Sequence, residues 1–357
     1  MKTKTDVEKL AKKINEIATE PVSLMEFCGT HTHEIFRYGI RGLLNKNIKL
    51  LSGPGCPVCV SHEEDIDRII MMAKKYNLGV ITFGDMVNVP GTDGSLNDLR
   101  SWGYEVHVVY SPIKSIDIAE KNPDKKYVLL GVGFETTVPT LAYTIKKAKE
   151  KGLKNLYYYS INKLTPPAMK AILDMGEVKI NGIIGPGHVS TIIGRKGWMP
   201  IFKEYNIPFV ITGFEPLDIL YGIYLLVKGV IEKKPELLNA YPRSVEEEGN
   251  KVAQEIMYEV FEVDDALWRG LGLLKKSGLS LKEEYRDIDA KIKFPVEVNP
   301  KPIPGCRCGE VLRGVITPLE CPLFGTACTP EHPVGPCMVS SEGACSAYYL
   351  YGGDEYE

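Results

Sequence analysis

The sequence predicts an α/β protein built on parallel sheets, and three observations support this fold class. Short apolar runs rich in β-branched and aromatic residues alternate with helical patterns along the first two thirds of the chain, which is typical of βα units. The length of 357 residues exceeds one typical domain. The cysteines form two groups, between residues 28 and 59 and between residues 306 and 345, so we expect a separate cysteine-rich segment at the C-terminus.

Eight segments have the composition of buried strands, namely residues 23–27, 48–52, 79–83, 105–109, 127–132, 156–160, 182–185 and 208–212. Between them, residues 62–76 and 138–149 carry apolar side chains at helical spacing. Residues 215–278 are predicted to be mostly helical. Four prolines in residues 295–304 predict an extended linker into the cysteine-rich segment.

A faint internal repeat suggests that the α/β unit is duplicated. The segment LLSGPGC at residues 50–56 resembles IIGPGH at 183–188, and VITFGD at 80–85 resembles VITGFE at 210–215. We therefore predict α/β domains at residues 1–122 and 123–235 with a cleft between them, and a third region at 236–357 that is helical and then rich in cysteine. Chance similarity of two Gly-Pro turns is the alternative.

Composition excludes several classes of function. A net charge of -3 provides no electrostatic reason to expect nucleic acid or an anionic membrane as a partner. The longest apolar stretch, residues 220–227, is far shorter than the ~20 residues that span a bilayer, and the charged N-terminus lacks the apolar core of a signal peptide. We therefore expect a cytoplasmic protein. In that compartment an odd number of cysteines favours metal ligation or redox chemistry over a disulfide framework.

Cys28 begins the motif CGTHTH directly after a predicted strand. In an open parallel sheet this position lies at the carboxyl edge, where ligands bind. The thiolate of Cys28 and the imidazoles of His31 and His33 are good ligands for iron or zinc. The alternative is a buried cysteine beside a polar turn.

Cys56 and Cys59 form a CxxC motif after the turn GPG. Ser61 and Glu64 have the spacing of a capping box at the start of the next helix, and the positive end of a helix favours the thiolate form of a nearby cysteine. We interpret the pair as a dithiol that cycles to a disulfide. Half of a zinc site is the alternative.

Glu135, His188 and Glu215 also follow predicted strands, at the sheet edge where a cleft would open. Each side chain alone is more often a helix cap or a solvated residue. Their shared placement raises the case for a functional role of all three, and we name Glu135 and His188 as catalytic candidates.

The six C-terminal cysteines exceed the four thiolates that hold zinc or an Fe–S cluster. Their spacing lacks both the paired CxxC knuckles of zinc ribbons and the compact run of bacterial ferredoxins. Two of them are available for a redox disulfide beside a cluster, and a structural zinc site is the alternative. Spacing alone does not identify the four ligands.

The chain resembles the HypD family of hydrogenase maturation proteins from about residue 23 to residue 349. The resemblance rests on five long motifs in order: CGTHTH (28–33), GPGCPVC (53–59), GFETT (133–137), GPGHVS (185–190) and CMVSSEGAC (337–345). It implies two Rossmann-like parallel-sheet domains and a C-terminal domain with a [4Fe-4S] cluster. It also implies two transient partners: HypC, a small co-scaffold for the Fe(CN)2CO unit of [NiFe] hydrogenases, and HypE, the cyanide donor.

The resemblance implies roles for individual residues as well. Cys28 would bind the assembling iron, which carries cyanide and carbon monoxide, together with a cysteine of HypC. His31 and His33 would line that pocket, and Cys56 and Cys59 would be the redox dithiol. The tail is similar to the cluster domain of ferredoxin:thioredoxin reductase, which assigns the cluster to Cys306, Cys321, Cys328 and Cys345 and a redox disulfide to Cys308 and Cys337.

Two rival functions remain. One is a turnover enzyme, an Fe–S-dependent protein disulfide reductase that acts through Cys56 and Cys59; the histidines of CGTHTH, unnecessary for such a reductase, argue against it. The other is a zinc-stabilised binding module without redox chemistry. We expect a redox-active assembly scaffold more than a simple turnover enzyme.

Overall fold

The structure, a computed structural model, describes residues 2–352. Eleven strands are found in this range. The strands are β1 (Val22–Glu26), β2 (Ile48–Ser52), β3 (Gly79–Thr82), β4 (Val106–Val108), β5 (Tyr127–Gly131), β6 (Leu156–Ser160), β7 (Gly182–Gly185), β8 (Phe209–Ile211), β9 (Leu237–Asn239), β10 (Phe261–Trp268) and β11 (Gly272–Leu281). The first eight agree with the predicted segments to within one residue at each end.

These strands form two parallel sheets and one antiparallel hairpin. The first sheet has the order β2-β1-β7-β8-β9, and the second has the order β4-β3-β5-β6. All neighbours in both sheets are parallel, whereas β10 and β11 are antiparallel. The predicted α/β class with parallel sheets is therefore confirmed.

The two parallel sheets do not follow one another along the chain, which corrects the predicted duplication. The first sheet combines β1 and β2 with β7, β8 and β9, and the second takes the strands between them. The repeated strands β2 and β7 both flank β1 in one sheet, while β3 and β8 lie in different sheets. The boundary predicted between residues 122 and 123 falls between β4 and β5, inside the second sheet, because pairing follows the burial of strand faces over long distances in sequence.

Sixteen α-helices are present in residues 2–352, and those at Glu63–Tyr76 and Val138–Glu150 confirm the helical segments predicted at 62–76 and 138–149. The helices are α1 (Lys2–Ile17), α2 (Gly29–Arg37), α3 (Ile40–Leu43), α4 (Glu63–Tyr76), α5 (Leu96–Ser101), α6 (Lys114–Lys121), α7 (Val138–Glu150), α8 (Thr165–Met175), α9 (Gly187–Ile193), α10 (Met199–Tyr205), α11 (Pro216–Ile231), α12 (Lys251–Val260), α13 (Ala290–Lys293), α14 (Cys308–Leu312), α15 (Pro336–Val339) and α16 (Ala344–Tyr351).

Alternation along β1 shows how the first sheet is buried. Successive side chains of a strand point to opposite faces, and Leu24 lies in a core cluster with residues of α1 and α11. Met25 lies in a different cluster, which contains residues of α8 and α10 and four of the six cysteines of the C-terminal tail. The tail is therefore packed on one face of the first sheet.

The prediction of a mostly helical stretch at 215–278 is wrong in part. Helices α11 and α12 are present, but β9, β10 and β11 were missed. The sequence pattern does not reveal the hairpin, because β10 carries three acidic residues in an exposed stretch of four and only its two end residues are buried. Phe261 at the start of β10 packs with Met257 and Val260 of α12.

Two further predictions concern the rest of the chain. Residues 295–304 contain no helix or strand, as expected of a linker. Within residues 2–352, the length and apolar character needed to cross a membrane are not found together in any helix.

Candidate functional site

Four loops meet at the carboxyl edge of the first sheet. They follow the neighbouring parallel strands β2, β1, β7 and β8, and parallel strands end at the same edge. The loop after β1 carries Cys28, the loop after β2 leads to Cys56, the loop after β7 leads to His188, and residues 212–215 follow β8. Glu135 follows β5 of the second sheet instead. The fold thus gathers most of the predicted site residues at one edge and places Glu135 at another.

Cys28 is a buried residue at the N-cap position of α2. Its backbone N–H donates a hydrogen bond to Glu26 Oε2 at 2.8 Å. Burial raises the pKa of the Cys28 thiol to about 12, and the nearby carboxyl of Glu342 raises it further. The thiol is therefore protonated at neutral pH, and a metal cation at its sulfur would favour loss of that proton.

Glycines bring the Cys28 loop into direct backbone contact with the loop of the CPVC motif. The N–H of Gly29 donates to the carbonyl of Gly55 at 2.9 Å, and the N–H of Gly53 donates to the carbonyl of Glu26 at 2.8 Å. A Cβ atom at Gly55 would lie 2.2 Å from the backbone nitrogen of Cys28. Only glycine at this position allows the two thiol-bearing loops to touch.

Cys56 and Cys59 are joined by a disulfide bond and are both buried. The pair precedes α4, but the cap of this helix is not the predicted Ser61. His62 is the N-cap residue, and its side chain accepts a hydrogen bond from the backbone of Glu64. The structure thus holds the oxidised form of the predicted dithiol, and its cycling stays a prediction.

His31 is fully buried, and its surroundings define its tautomer. Its Nε2 lies 2.9 Å from the carbonyl oxygen of Gly213 and 2.8 Å from Thr212 Oγ1. Because a carbonyl oxygen only accepts, Nε2 carries the proton and Nδ1 keeps its lone pair. Burial lowers the pKa of His31 to about 4, so the ring is neutral. Among the described residues, Nδ1 has no hydrogen-bond partner.

A phenylalanine connects the two predicted histidines His31 and His188. The ring of Phe214 lies 4.7 Å from that of His31 and 3.9 Å from that of His188, centroid to centroid. Partial burial lowers the pKa of His188 below its usual value. The structure therefore brings His188 close to the CGTHTH motif, through a residue that the sequence analysis did not single out.

The C-terminal tail covers the first turn of α2 next to Cys28. His33 Nδ1 donates to the carbonyl of Ser341 at 3.0 Å, and Thr30 Oγ1 donates to Glu342 Oε1 at 2.7 Å. A Cβ atom at Gly29 would lie 2.6 Å from the Cβ of Glu342. Glu342 was missed as a site residue, because its distance of 312 residues from Thr30 hides the contact. The sequence feature that could have identified Glu342 as a site residue is its position inside the motif CMVSSEGAC.

Glu135 lies apart from this site, at the N-terminus of α8. Its two carboxyl oxygens accept hydrogen bonds from the backbone N–H and the hydroxyl of Thr165, both at 2.9 Å. Burial raises the pKa of Glu135 to about 7, although these hydrogen bonds oppose the rise. This geometry is that of a helix cap, and the predicted catalytic role of Glu135 stays a prediction.

Glu135→Gln is expected to change how stability depends on pH. Between the usual pKa of 4.5 and the folded value of about 7, the unfolded chain ionises Glu135 while the folded protein keeps the proton. The contribution of Glu135 to the free energy of unfolding is therefore fully present below pH 4.5. About 3 kcal/mol of it is lost as the pH rises from 4.5 through 7. Denaturant unfolding at pH 5 and pH 8 should show a smaller pH dependence in Glu135→Gln, and equal pH dependence in both proteins would contradict this account.

The six tail cysteines form one connected group. Cys308 Sγ and Cys337 Sγ lie 2.7 Å apart. Cys306 hydrogen-bonds to Cys308, and Cys337 also hydrogen-bonds to Cys345. Electrostatic interactions join Cys321 to Cys306 and to Cys328, and Cys328 to Cys345. Burial raises the pKa of Cys328, and neighbouring thiols raise it further. Among the described residues, no three His, Cys, Asp or Glu side chains are arranged to hold a single metal ion.

Arg269 connects the tail to the CPVC loop, and the sequence analysis missed it. Its backbone N–H donates to the carbonyl of Val60 at 3.0 Å, and its Nε donates to the carbonyl of Ser61 at 2.7 Å. Hydrogen bonds from Cys306 and Cys337 lower the pKa of Cys308, and the charge of Arg269 lowers it further. One buried arginine thus contacts the segment after Cys59 and acts electrostatically on Cys308.

Comparisons with known proteins identify the family of this chain. The HypD model, described as "Hydrogenase formation hypA family", matches residues 5–352. The chain is 45% identical to hydrogenase maturation factor HypD2 of Bradyrhizobium diazoefficiens over 354 residues, which cover 96% of this chain and 93% of that protein. It is 40% identical to hydrogenase maturation factor HypD of Escherichia coli over 349 residues, or 97% and 94% of the two chains. This protein therefore belongs to the HypD family of hydrogenase maturation proteins.

Proposed function

We propose that this protein is the scaffold on which the Fe(CN)2CO unit of [NiFe] hydrogenases is assembled, with the iron bound at Cys28. The observation that carries the proposal is the position of Cys28. Its thiol lies at the edge where four strand-following loops meet, at the N-terminus of α2 and next to the CPVC loop. A soft thiolate is a suitable ligand for iron that carries strong-field ligands such as cyanide and carbon monoxide.

In this proposal the partners complete the site. A small HypC protein supplies a second cysteine ligand to the iron and covers it, and HypE delivers the cyanide. His31 and His33 line the pocket on either side of Thr32, and His31 contributes an unpaired Nδ1 acceptor. The assembly takes place in the cytoplasm, where the free thiols stay reduced.

The redox part of the proposal rests on a shared core. Cys56 and Cys59 belong to the same buried cluster as Cys308, Cys337 and Cys345. Two electrons and two protons convert the disulfide of the CPVC motif into two thiols. The close approach of the Cys308 and Cys337 sulfurs supports their assignment as a second redox pair.

The remaining tail cysteines fit a [4Fe-4S] cluster by their chemistry and neighbourhood. Burial and neighbouring thiols raise the pKa of Cys328, and bound iron would stabilise its thiolate form. We assign the cluster to Cys306, Cys321, Cys328 and Cys345 by the resemblance to the cluster domain of ferredoxin:thioredoxin reductase. The 2.7 Å approach of Cys308 to Cys337 supports leaving those two as the redox pair. When bound, such a cluster supplies one-electron chemistry near the dithiol.

The test is the infrared spectrum of the protein purified anaerobically with its small partner, before and after Cys28→Ala. Metal-bound cyanide and carbon monoxide absorb where proteins barely do. We expect bands in the parent protein and none in Cys28→Ala, while the iron and acid-labile sulfide of the tail stay unchanged as the internal control. Bands that survive the substitution would show that Cys28 is not the iron ligand.

The alternative is an Fe–S-dependent protein disulfide reductase, and the shared core of the CPVC and tail cysteines is the observation in its favour. Such an enzyme has no need of Cys28. Rapid reduction of a disulfide substrate by Cys28→Ala, together with an absence of infrared bands in the parent protein, would favour the reductase over the scaffold.

A further inference from the structure

A second polar cavity lies away from the Cys28 site, at the carboxyl edge of the second sheet. Its volume is about 280 Å³, close to the lower end of the range of ligand pockets, about 300–1,000 Å³. Its walls are formed by residues 159–163, which end β6 and follow it, by the first turns of α4 and by the hairpin β10–β11. Open parallel sheets bind ligands at this edge, and none of the five family motifs contributes to the lining.

Lys163 in the wall of this cavity is buried, with 2% of its surface exposed. Its backbone is held between β5 and the hairpin, since its N–H donates to the carbonyl of Gly133 at 3.1 Å and it forms a bridge to Gly278. No hydrogen bond or ion pair to Lys163 Nζ occurs within residues 2–352. The centroid of the Trp268 ring lies 5.8 Å from Nζ. A buried ammonium group without a hydrogen-bonded partner is costly.

The charged groups that act on Lys163 favour an anionic ligand. Arg68 and Glu64 in the wall neutralise each other at 2.7 Å, which leaves Asp65 as the carboxylate that acts on Lys163. Lys291 in the wall and Arg269 behind it add positive charge. Burial lowers the pKa of Lys163 to about 8, against the attraction of Asp65. Asp264 and Asp265 are exposed residues on the hairpin side of the cavity.

We propose that this cavity binds a small molecule with one anionic oxygen group, a carboxylate or a phosphate, which pairs with the ammonium group of Lys163. The pairing supplies the hydrogen-bonded counter-charge that Lys163 lacks. Lys291 completes the cationic side of the site, and the exposed acidic residues exclude larger polyanions. This site is separate from the iron scaffold and does not depend on it.

The test is a binding titration of the anaerobically purified full-length protein with acetate, succinate and inorganic phosphate, each followed by ligand-observed NMR. We expect at least one probe to bind at millimolar concentration or below, and Lys163→Met to weaken it by at least about tenfold. Lys275→Met, an exposed lysine on the same hairpin, is the matched control and should bind like the parent. Binding of acetate or succinate alone identifies an organic acid, and binding of phosphate identifies a phosphorylated ligand.

A second measurement uses the unsubstituted protein, so that misfolding of a variant cannot decide the outcome. Acetic anhydride modifies uncharged amines, and a bound anion keeps Lys163 charged and covered. The probe that binds should therefore slow acetylation of Lys163, measured by mass spectrometry, and leave Lys275 unaffected. Failure of all three probes to bind, binding that survives Lys163→Met, or a lack of protection at Lys163 would each overturn the proposal.

Discussion

Gly55→Ala is expected to destroy the Cys28 pocket. The added Cβ would lie 2.2 Å from the backbone nitrogen of Cys28 and 2.5 Å from its Cα, and backbone atoms cannot swing aside as a flexible side chain does. The two loops must separate, which breaks the hydrogen bond from Gly29 to residue 55. We expect a loss of about 3 kcal/mol or more in the free energy of unfolding, and loss of the infrared bands of the iron unit.

Gly42→Ala is the matched control for this substitution. Gly42 lies on α3, and a Cβ atom there meets nothing within 4 Å. Alanine in a helix is favoured over glycine by about 0.5–1 kcal/mol, so this variant should be as stable as the parent or slightly more stable and should keep the bands. A Gly55→Ala protein with parental stability and intact bands would show that the two thiol loops need not be in contact.

Cys328→Ala is expected to remove the iron and sulfide of the tail, whereas Cys337→Ala is expected to leave them in place. The proposed assignment makes Cys328 a cluster ligand and Cys337 the partner of Cys308. Cys328→Ala should lower the iron and acid-labile sulfide of the tail from about four of each to near zero. Cys337→Ala should keep the cluster and lose only the redox pair, because one buried sulfur is removed without removing a ligand.

Iron and sulfide analysis of both variants after anaerobic purification measures this difference, and Cys308→Ala provides the matched control for Cys337→Ala. Since the tail is packed on the first sheet, loss of the cluster should also lower the thermal stability of the protein, because metal binding contributes folding free energy. Equal loss of iron in Cys328→Ala and Cys337→Ala would show that the division into four ligands and one pair is wrong.

Eight of the nine strands in the two parallel sheets were predictable, because most of them are buried on both faces; the missed strand, β9, is a half-buried edge strand of three residues. Runs such as Tyr127–Gly131 are apolar throughout, and this composition is visible without any partner strand. The hairpin was not predictable in the same way. In its first strand, residues 262–265 are exposed and three of them are acidic, so this local pattern does not distinguish the strand from a polar helix or loop.

The candidate site was predictable where its reactive residues belong to short sequence motifs. Cys28, Cys56 and His188 follow predicted strands, and strands that are neighbours in a parallel sheet place such residues at one edge. Glu26 and Arg269 carry no such signal. Glu26 is an ordinary polar residue at the end of a strand until Cys28 and Thr32 turn toward its carboxyl group.

Local sequence therefore established the first eight strands, helix α4 and the set of thiols available for metal or redox chemistry. It did not establish which strands share a sheet, that the tail lies against α2, or that Arg269 contacts the CPVC loop. The reason is physical: strand composition and turn chemistry act over a few residues, whereas these contacts join segments up to 312 residues apart. Such contacts form only when the faces of the sheets, and the tail, are buried together.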